Sequence, residues 1–118
     1  MFYRNVNELI KKIQSNLSDD LLHSSYRKQY AGQGVHGHCY VATETLYYLY
    51  GKENGYNPRY FRCQDGGTHW WLEKDGEVLD PTAEQVAEDF IYEGKSQFFM
   101  CYPSKRCLIL AERTKKNR

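Results

Sequence analysis

The sequence has no long apolar run, no Cys-x-x-Cys pair and almost no net charge. No stretch approaches the ~20 apolar residues of a transmembrane helix, so we expect no membrane contact. The four cysteines, at positions 39, 63, 101 and 107, lack the spacing of zinc ribbons and thioredoxin-type sites. Because phosphate binding relies on basic patches, a net charge of +1 argues against nucleic acid as the main partner.

The length and the N-terminal sequence limit the number of domains and the expected location of the protein. A chain of 118 residues with 41% hydrophobic residues predicts one domain, residues 1–118, with a core of its own. The N-terminus begins Met-Phe-Tyr-Arg-Asn and has no apolar signal core. We therefore expect a cytoplasmic protein whose cysteines are free thiols. Oligomeric state and the role of the basic C-terminal tail stay open.

The first half of the chain predicts helices. Asn5–Leu17 carries apolar residues at helical spacing, namely Val6, Leu9, Ile10, Ile13 and Leu17. Ser18 is a candidate N-cap for a second helix over Asp19–Tyr30. After a glycine-rich loop, Cys39–Tyr50 predicts a central helix that Gly51 ends.

The middle of the chain predicts an antiparallel sheet. Arg59–Cys63 can alternate as a strand, and Thr68–Glu73 and Glu77–Asp80 flank Asp75-Gly76, a two-residue hairpin turn. With that turn, paired residue numbers sum to 151; a three-residue turn would shift the register by one residue. His69 and Asp80 then lie on one face as diagonal neighbours, ~7–8 Å apart at the backbone. Trp70, Leu72 and Leu79 take the opposite face.

The remaining residues complete an α+β prediction. Thr82-Ala83-Glu84-Gln85 fits a capping box and predicts a helix to about Tyr92. Gln97–Tyr102 is aromatic and predicts a strand, and Pro103-Ser104 starts a final helix that carries Cys107, Leu108, Leu110 and Ala111. The expected fold is a compact α+β domain. Its N-terminal helices and its cysteine-bearing central helix pack on a small antiparallel sheet.

Four residues have the chemistry that thiol catalysis needs: a nucleophile, a base, a group that orients the base and an oxyanion donor. Cys39 lies at the predicted start of a helix, where unpaired N–H groups and the helix dipole stabilise a thiolate. His69 can take the thiol proton, and Asp80 can accept the second imidazole N–H and fix the tautomer. The side-chain amide of Gln33 and the backbone N–H of Cys39 can donate to an oxyanion.

The stretch Gln33-Gly34-x-x-Gly37-x-Cys39-Tyr40 resembles the Gln-Gly-x-x-Gly-x-Cys-Trp motif of papain-like cysteine peptidases. The resemblance implies that Gln33 lines the oxyanion hole and that Cys39 is the nucleophile. Tyr40 stands where that family usually has Trp, a mild departure.

The stretch that contains His69 and Asp80 is similar to the transglutaminase-like branch of the same superfamily. His69-Trp70-Trp71 followed by Leu79-Asp80-Pro81-Thr82 matches a His that opens one strand and an Asp-Pro that ends the next. His69 follows Cys39 by 69 − 39 = 30 residues, far closer than in papain-like enzymes. The resemblance covers about Gln33–Gln85 and includes small phage proteins. It implies cysteine-dependent acyl transfer on a peptide, isopeptide or side-chain amide, with transamidation as a variant and no cofactor.

Other interpretations stay open at this stage. Cys39 could be a small buried hydrophobe. The chain could also be a zinc-dependent hydrolase that binds the metal through His36, His38 and Cys39, with Cys63 or His69, although their spacing is not standard and we expect no metal. A tyrosine-rich surface would also suit a non-catalytic protein-binding module. In the enzyme interpretation His38, Tyr40 and Trp71 border the substrate cleft, where a charged His36 or His38 would favour the thiolate.

Overall fold

Three α-helices and a four-stranded antiparallel sheet form the part of the chain that the structure, a computed structural model, describes: residues 5–22, 32, 37–63, 67–99 and 102–116. The helices are α1 (Val6–Ser15), α2 (Cys39–Leu46) and α3 (Lys105–Lys116). The strands are β1 (Asn57–Arg62), β2 (Thr68–Lys74), β3 (Glu77–Leu79) and β4 (Lys95–Ser96), in the order β3-β2-β1-β4. The predicted α+β class is therefore confirmed.

Helix α1 forms where its apolar periodicity predicts it. The Asn5 side chain caps the helix by accepting a 2.9 Å hydrogen bond from the backbone N–H of Glu8. Leu9 and Ile13 are fully buried on the face toward the core. Of the second predicted helix, the structure describes only a 3-10 turn over Asp19–Leu21 and the residue after it; positions 23–30 lie outside the described residues.

The central helix α2 begins at Cys39, as the sequence predicts, and continues as a π-helical segment over Tyr47–Gly51. Seven of its eight residues are buried, all except Tyr40. This burial follows from its position, since α2 lies against α1, α3 and strand β2. The Thr43 hydroxyl also donates a 3.2 Å hydrogen bond to the Trp70 carbonyl, which fixes α2 to the middle of β2.

The hairpin of β2 and β3 has the predicted register. Its strand pairs are Leu72 with Leu79, Glu73 with Val78, and Lys74 with Glu77, each summing to 151. Asp75 and Gly76 have φ angles of 49° and 84°, the left-handed values that a two-residue type I′ turn requires. Trp70, Leu72 and Leu79 belong to the hydrophobic core, so the opposite face of β2 presents His69 and Trp71.

The predicted helix from Thr82 to Tyr92 is wrong, because only a 3-10 turn over Ala83–Gln85 forms. The Thr82 hydroxyl makes no capping hydrogen bond and lies 3.4 Å from an Asp80 carboxylate oxygen, while Val86 is already extended. The chain then crosses the outer face of the sheet, where Phe90 and Tyr92 pack against Trp71. Tertiary packing of these rings thus replaces the local helix preference.

The predicted strand over Gln97–Tyr102 is also displaced. Pairing with β1 is confined to Lys95 and Ser96, which lie opposite Tyr60 and Arg59. Phe99 instead packs into the core against Trp70, with the two rings stacked at 5.5 Å. Positions 100 and 101 lie outside the described residues.

Helix α3 forms after Pro103-Ser104 as predicted, and a buried carboxylate on α2 holds its start. Glu44, 1% exposed, accepts hydrogen bonds of 2.8 Å from the Ser104 backbone N–H and 2.6 Å from its hydroxyl. Cys107 and Leu110 are buried on the core face of α3. Within the described ranges, every helix is too short or too polar to cross a membrane.

Replacing Glu44 by Ala should destabilise the fold, because a buried carboxylate that bonds two donors at the start of α3 is lost. Hydrogen bonds to charged groups contribute about 1.5–3 kcal/mol each, so we expect a loss of about 2–4 kcal/mol in unfolding free energy. Urea denaturation measures it. The control is Glu112→Ala on the exposed side of α3, expected within about 0.5 kcal/mol of the unmodified protein. Equal stability of the two variants would contradict this account.

Candidate active site

The Cys39 thiol lies where the first turn of α2 meets the first residue of β2. Its sulfur is 3.2 Å from the backbone oxygen of Thr68 and donates its hydrogen to that carbonyl. Thr68 directly precedes His69, so this contact brings the sulfur beside the imidazole. Cys39 is 8% exposed.

The His69 ring joins the thiol to Asp80. Its Nε2 lies 2.7 Å from Oδ2 of Asp80, and the ring also interacts with the Cys39 side chain, which helps to raise the pKa of His69. Since Nε2 is engaged by the carboxylate, Nδ1 is the nitrogen left for the sulfur. The structure therefore brings together the three residues that the sequence selected as nucleophile, base and orienting group.

The carboxylate of Asp80 is held by donors on both oxygens. Oδ1 accepts a 3.0 Å hydrogen bond from the Thr82 backbone N–H and lies 3.4 Å from the Thr82 hydroxyl. Oδ2 accepts from His69 and, at 2.7 Å, from the hydroxyl of Tyr92. Because the buried carboxylate has these partners, its desolvation is compensated and its position is fixed.

The electrostatics of the site favour a charged imidazole. Burial alone would lower the pKa of His69, but hydrogen bonds to Asp80 and Cys39, together with the attraction of both groups, outweigh burial and raise that pKa to about 9. Near neutral pH the ring is therefore an imidazolium, the form that pairs with a thiolate and can protonate a leaving group.

Aromatic rings enclose the imidazole on its outer side. Phe90 meets His69 edge to face, with centroids 5.7 Å apart, and the Trp71 ring lies 6.1 Å away. Trp71 has no exposed surface, so it lies beneath His69 as a packing residue and does not border a cleft as we predicted. These rings exclude water from the pair of His69 and Asp80, whose side chains are only 3% and 4% exposed.

The two residues that flank Cys39 in the sequence, His38 and Tyr40, differ in burial. His38 is 1% exposed, and its Nδ1 has no hydrogen-bond partner among the described residues. Burial lowers the pKa of His38, so a neutral ring replaces the expected positive charge next to Cys39. Tyr40 is half-buried and packs against the core, edge-on to Trp70 and Phe99 at 5.0 and 5.2 Å.

Two of the predicted positions fall outside the described residues, namely Gln33 and His36. The predicted oxyanion donor and the first residue of the zinc alternative therefore have no described geometry. Among the residues that are described, no group of three or more His, Cys, Asp or Glu side chains is arranged to hold a metal ion.

The sequence did not predict two residues of the site, Phe90 and Tyr92. Both fell within the segment predicted as a helix. Their signal was the alternation Phe-Ile-Tyr-Glu, in which Phe90 and Tyr92 are half-buried and Ile91 and Glu93 are exposed. A period of two is typical of an extended segment lying on a surface, but four residues are too few to outweigh a capping motif.

Comparisons with family models, curated proteins and solved structures found no match to this chain. A thiol beside an imidazole that bonds a buried carboxylate can generate a nucleophilic sulfur and hold its proton on the adjacent base.

The His69 ring of the folded protein should titrate near pH 9, and His38 should titrate below its ordinary value of 6.5. NMR spectra of the imidazole groups across a pH series measure both in one sample. Asp80→Asn removes the negative charge next to Nε2 and should move the His69 midpoint down. A midpoint near 6.5 for His69 in the unmodified protein would contradict the described electrostatics.

Stability should also depend on pH through His69. Its folded pKa of about 9 lies above the ordinary 6.5, so its contribution is present below about pH 6.5 and is lost as pH rises through about 9. The unfolding free energy of the unmodified protein should therefore exceed that of His69→Gln by more at pH 6 than at pH 10. Urea denaturation at both values tests this, and a difference independent of pH would oppose it.

Proposed function

We propose that the chain is a cysteine-dependent acyl-transfer enzyme with Cys39 as nucleophile, His69 as general acid and base, and Asp80 as the group that orients His69. One observation carries the proposal. The His69 imidazole bonds the Asp80 carboxylate at 2.7 Å and interacts with the Cys39 thiol, although the three residues come from α2, the start of β2 and the residue after β3. A structural role would not require a cysteine beside such a pair.

The base and the carboxylate are sheltered from solvent. The His69 and Asp80 side chains are only 3% and 4% exposed. Exclusion of water strengthens the electrostatic interactions within such a pair, and this supports a catalytic role for it.

In the proposed reaction the sulfur attacks a carbonyl carbon, and its proton resides on Nδ1 of His69. The tetrahedral intermediate collapses as His69 gives that proton to the leaving amine, which breaks the carbon–nitrogen bond and leaves a thioester on Cys39. Water or a second amine then attacks the thioester, with His69 accepting its proton, and the sulfur is released. Peptides, isopeptides and side-chain amides are the proposed substrates.

We also propose a papain-like or transglutaminase-like core. It is supported by the order of the three residues in the chain and by a cysteine that opens a helix packed on an antiparallel sheet. His69 lies at the beginning of one strand of that sheet, and Asp80 directly follows the next. Acyl transfer without a metal or cofactor is what this superfamily resemblance implies.

The first test needs no knowledge of the natural substrate. p-Nitrophenyl acetate should acylate Cys39, detected as nitrophenol release and by mapping of the acetylated peptide. Cys39→Ala should abolish this, and His69→Ala should lower the rate by ~100-fold or more, the range of general acid–base catalysis. The variant that carries both substitutions should be no worse than Cys39→Ala alone, because such residues act as a unit.

Cys63→Ala is the matched control. The Cys63 thiol is only half-buried, so a reagent can reach it, whereas the Cys107 thiol is buried and stays protonated. Burial raises the pKa of the Cys107 thiol to about 12. Unchanged acylation in Cys63→Ala is expected. Acylation that persists in Cys39→Ala at the rate of the unmodified protein would refute the assignment.

Gln33 gives a separate prediction that rests on its sequence position alone. If its amide donates to the oxyanion, Gln33→Ala should lower acyl-transfer turnover by ~100–1000-fold. Alkylation of Cys39 by iodoacetamide forms no oxyanion and should be unchanged. Gln97→Ala, at an exposed glutamine, is the control. Normal turnover in Gln33→Ala would remove Gln33 from the mechanism.

A further inference from the structure

We propose that Tyr92 is a positioning residue of this site: its phenol O–H holds the Asp80 carboxylate and moderates the pull of that carboxylate on His69. The inference rests on the proposed function for its catalytic consequence. Its structural part, the link from Tyr92 through Asp80 to His69, stands independently of any substrate.

The geometry places Tyr92 and His69 on the same carboxylate oxygen. The Tyr92 hydroxyl lies 2.7 Å from Oδ2 of Asp80, and Nε2 of His69 lies 2.7 Å from that atom. Oδ1 is occupied by Thr82. Since two donors share Oδ2, a change in one bond alters the negative charge available to the other.

The phenol acts as a donor throughout the working pH range. Burial and the adjacent Asp80 carboxylate both raise the pKa of Tyr92 above its ordinary value. The hydroxyl therefore keeps its proton and can only donate to the carboxylate, which is 4% exposed. In such an environment a hydrogen bond to an ionised acceptor is stronger than a neutral one.

The position of the Tyr92 ring does not depend on its hydroxyl. The ring packs edge to face against Trp71 at 5.2 Å and against Phe90 at 5.0 Å. Two residues on, Gly94 lets the segment lie close to the sheet, because a Cβ there would be 2.4 Å from the Tyr60 carbonyl oxygen and 2.7 Å from the Trp71 ring. Tyr92→Phe should therefore retain the packing and remove the single donor.

The expected effect has a definite sign. Without the phenol, the charge on Oδ2 acts on His69 alone, so the imidazolium is held more tightly and the pKa of His69 should rise by roughly 0.5–1 unit. A more tightly held proton is given less readily to the leaving group. Acylation of Cys39 should therefore slow by roughly tenfold, the lower end of the effect known for hydrogen-bond partners that orient metal-binding side chains.

The test compares Tyr92→Phe with Tyr102→Phe in the full chain. Tyr102 is 63% exposed, and the substitution removes the same atom. NMR titration of the His69 ring measures how strongly Asp80 holds the imidazolium. Lost packing would also raise this midpoint by relieving burial, and the Asp80→Asn background described below separates the two causes. Release of p-nitroaniline from an acetyl p-nitroanilide, whose amine leaving group needs a proton, measures the rate. Tyr92→Phe should raise the His69 midpoint and slow acylation, and Tyr102→Phe should change neither.

A third variant shows whether Tyr92 acts through Asp80. In an Asp80→Asn background, Tyr92→Phe should leave the His69 midpoint where Asp80→Asn alone places it. A His69 midpoint in Tyr92→Phe equal to that of the unmodified protein, or lower, would overturn the inference. If Cys39 of the unmodified protein is not acylated, the proposed function fails, and the His69 titration still decides the role of Tyr92.

Discussion

The buried contact between His69 and Asp80 is the interaction on which the rest of this structure depends. Two ionisable groups lie 2.7 Å apart with side chains only 3% and 4% exposed. Removing such groups from water costs several kcal/mol per charge unless every remaining donor and acceptor finds a partner. The surroundings meet that condition, because Thr82 and Tyr92 donate to the carboxylate and the Cys39 thiol is a partner of the ring.

Rigid elements hold this contact in place from both sides. The β2–β3 hairpin turns within two residues, and the Pro81 carbonyl just beyond it accepts a 2.9 Å hydrogen bond from the Gln14 side chain on α1. The thiol is carried by α2, which Thr43 fixes to β2 and Glu44 fixes to α3. Side chains on a helix and on a strand are held more precisely than side chains on loops.

The outer face of the hairpin is closed by a segment without regular secondary structure. Phe90 and Tyr92 project from it onto His69 and Trp71. These side chains exclude water from the pair of His69 and Asp80. Tyr92 also supplies the phenol that donates to Oδ2 of Asp80, the oxygen that His69 contacts. The same segment thus provides both the apolar surroundings that raise the cost of the charge and a hydrogen bond that offsets it.

The sequence by itself determined the features that depend on local geometry. Asp75-Gly76 tolerates the two left-handed backbone conformations of its turn, and that turn fixes the register that puts His69 and Asp80 on one face. The spacing of apolar residues likewise predicted the position of α1 in the chain. The glycines before Cys39 predicted where α2 begins. In these cases the decisive constraint lies within a few neighbouring residues.

Only the tertiary structure decided the burial of His38, the core position of Tyr40 and the path of residues 86–94. A capping motif at Thr82 favoured a helix by an amount on the order of 1 kcal/mol. Packing the half-buried Phe90 and Tyr92 side chains against the sheet opposes this preference, since full burial of one large apolar side chain is worth about 1.5–3 kcal/mol and two such side chains are partly buried here. Such gains come from residues distant in sequence, so no local pattern can reveal that the phenol of Tyr92 meets the carboxylate of Asp80.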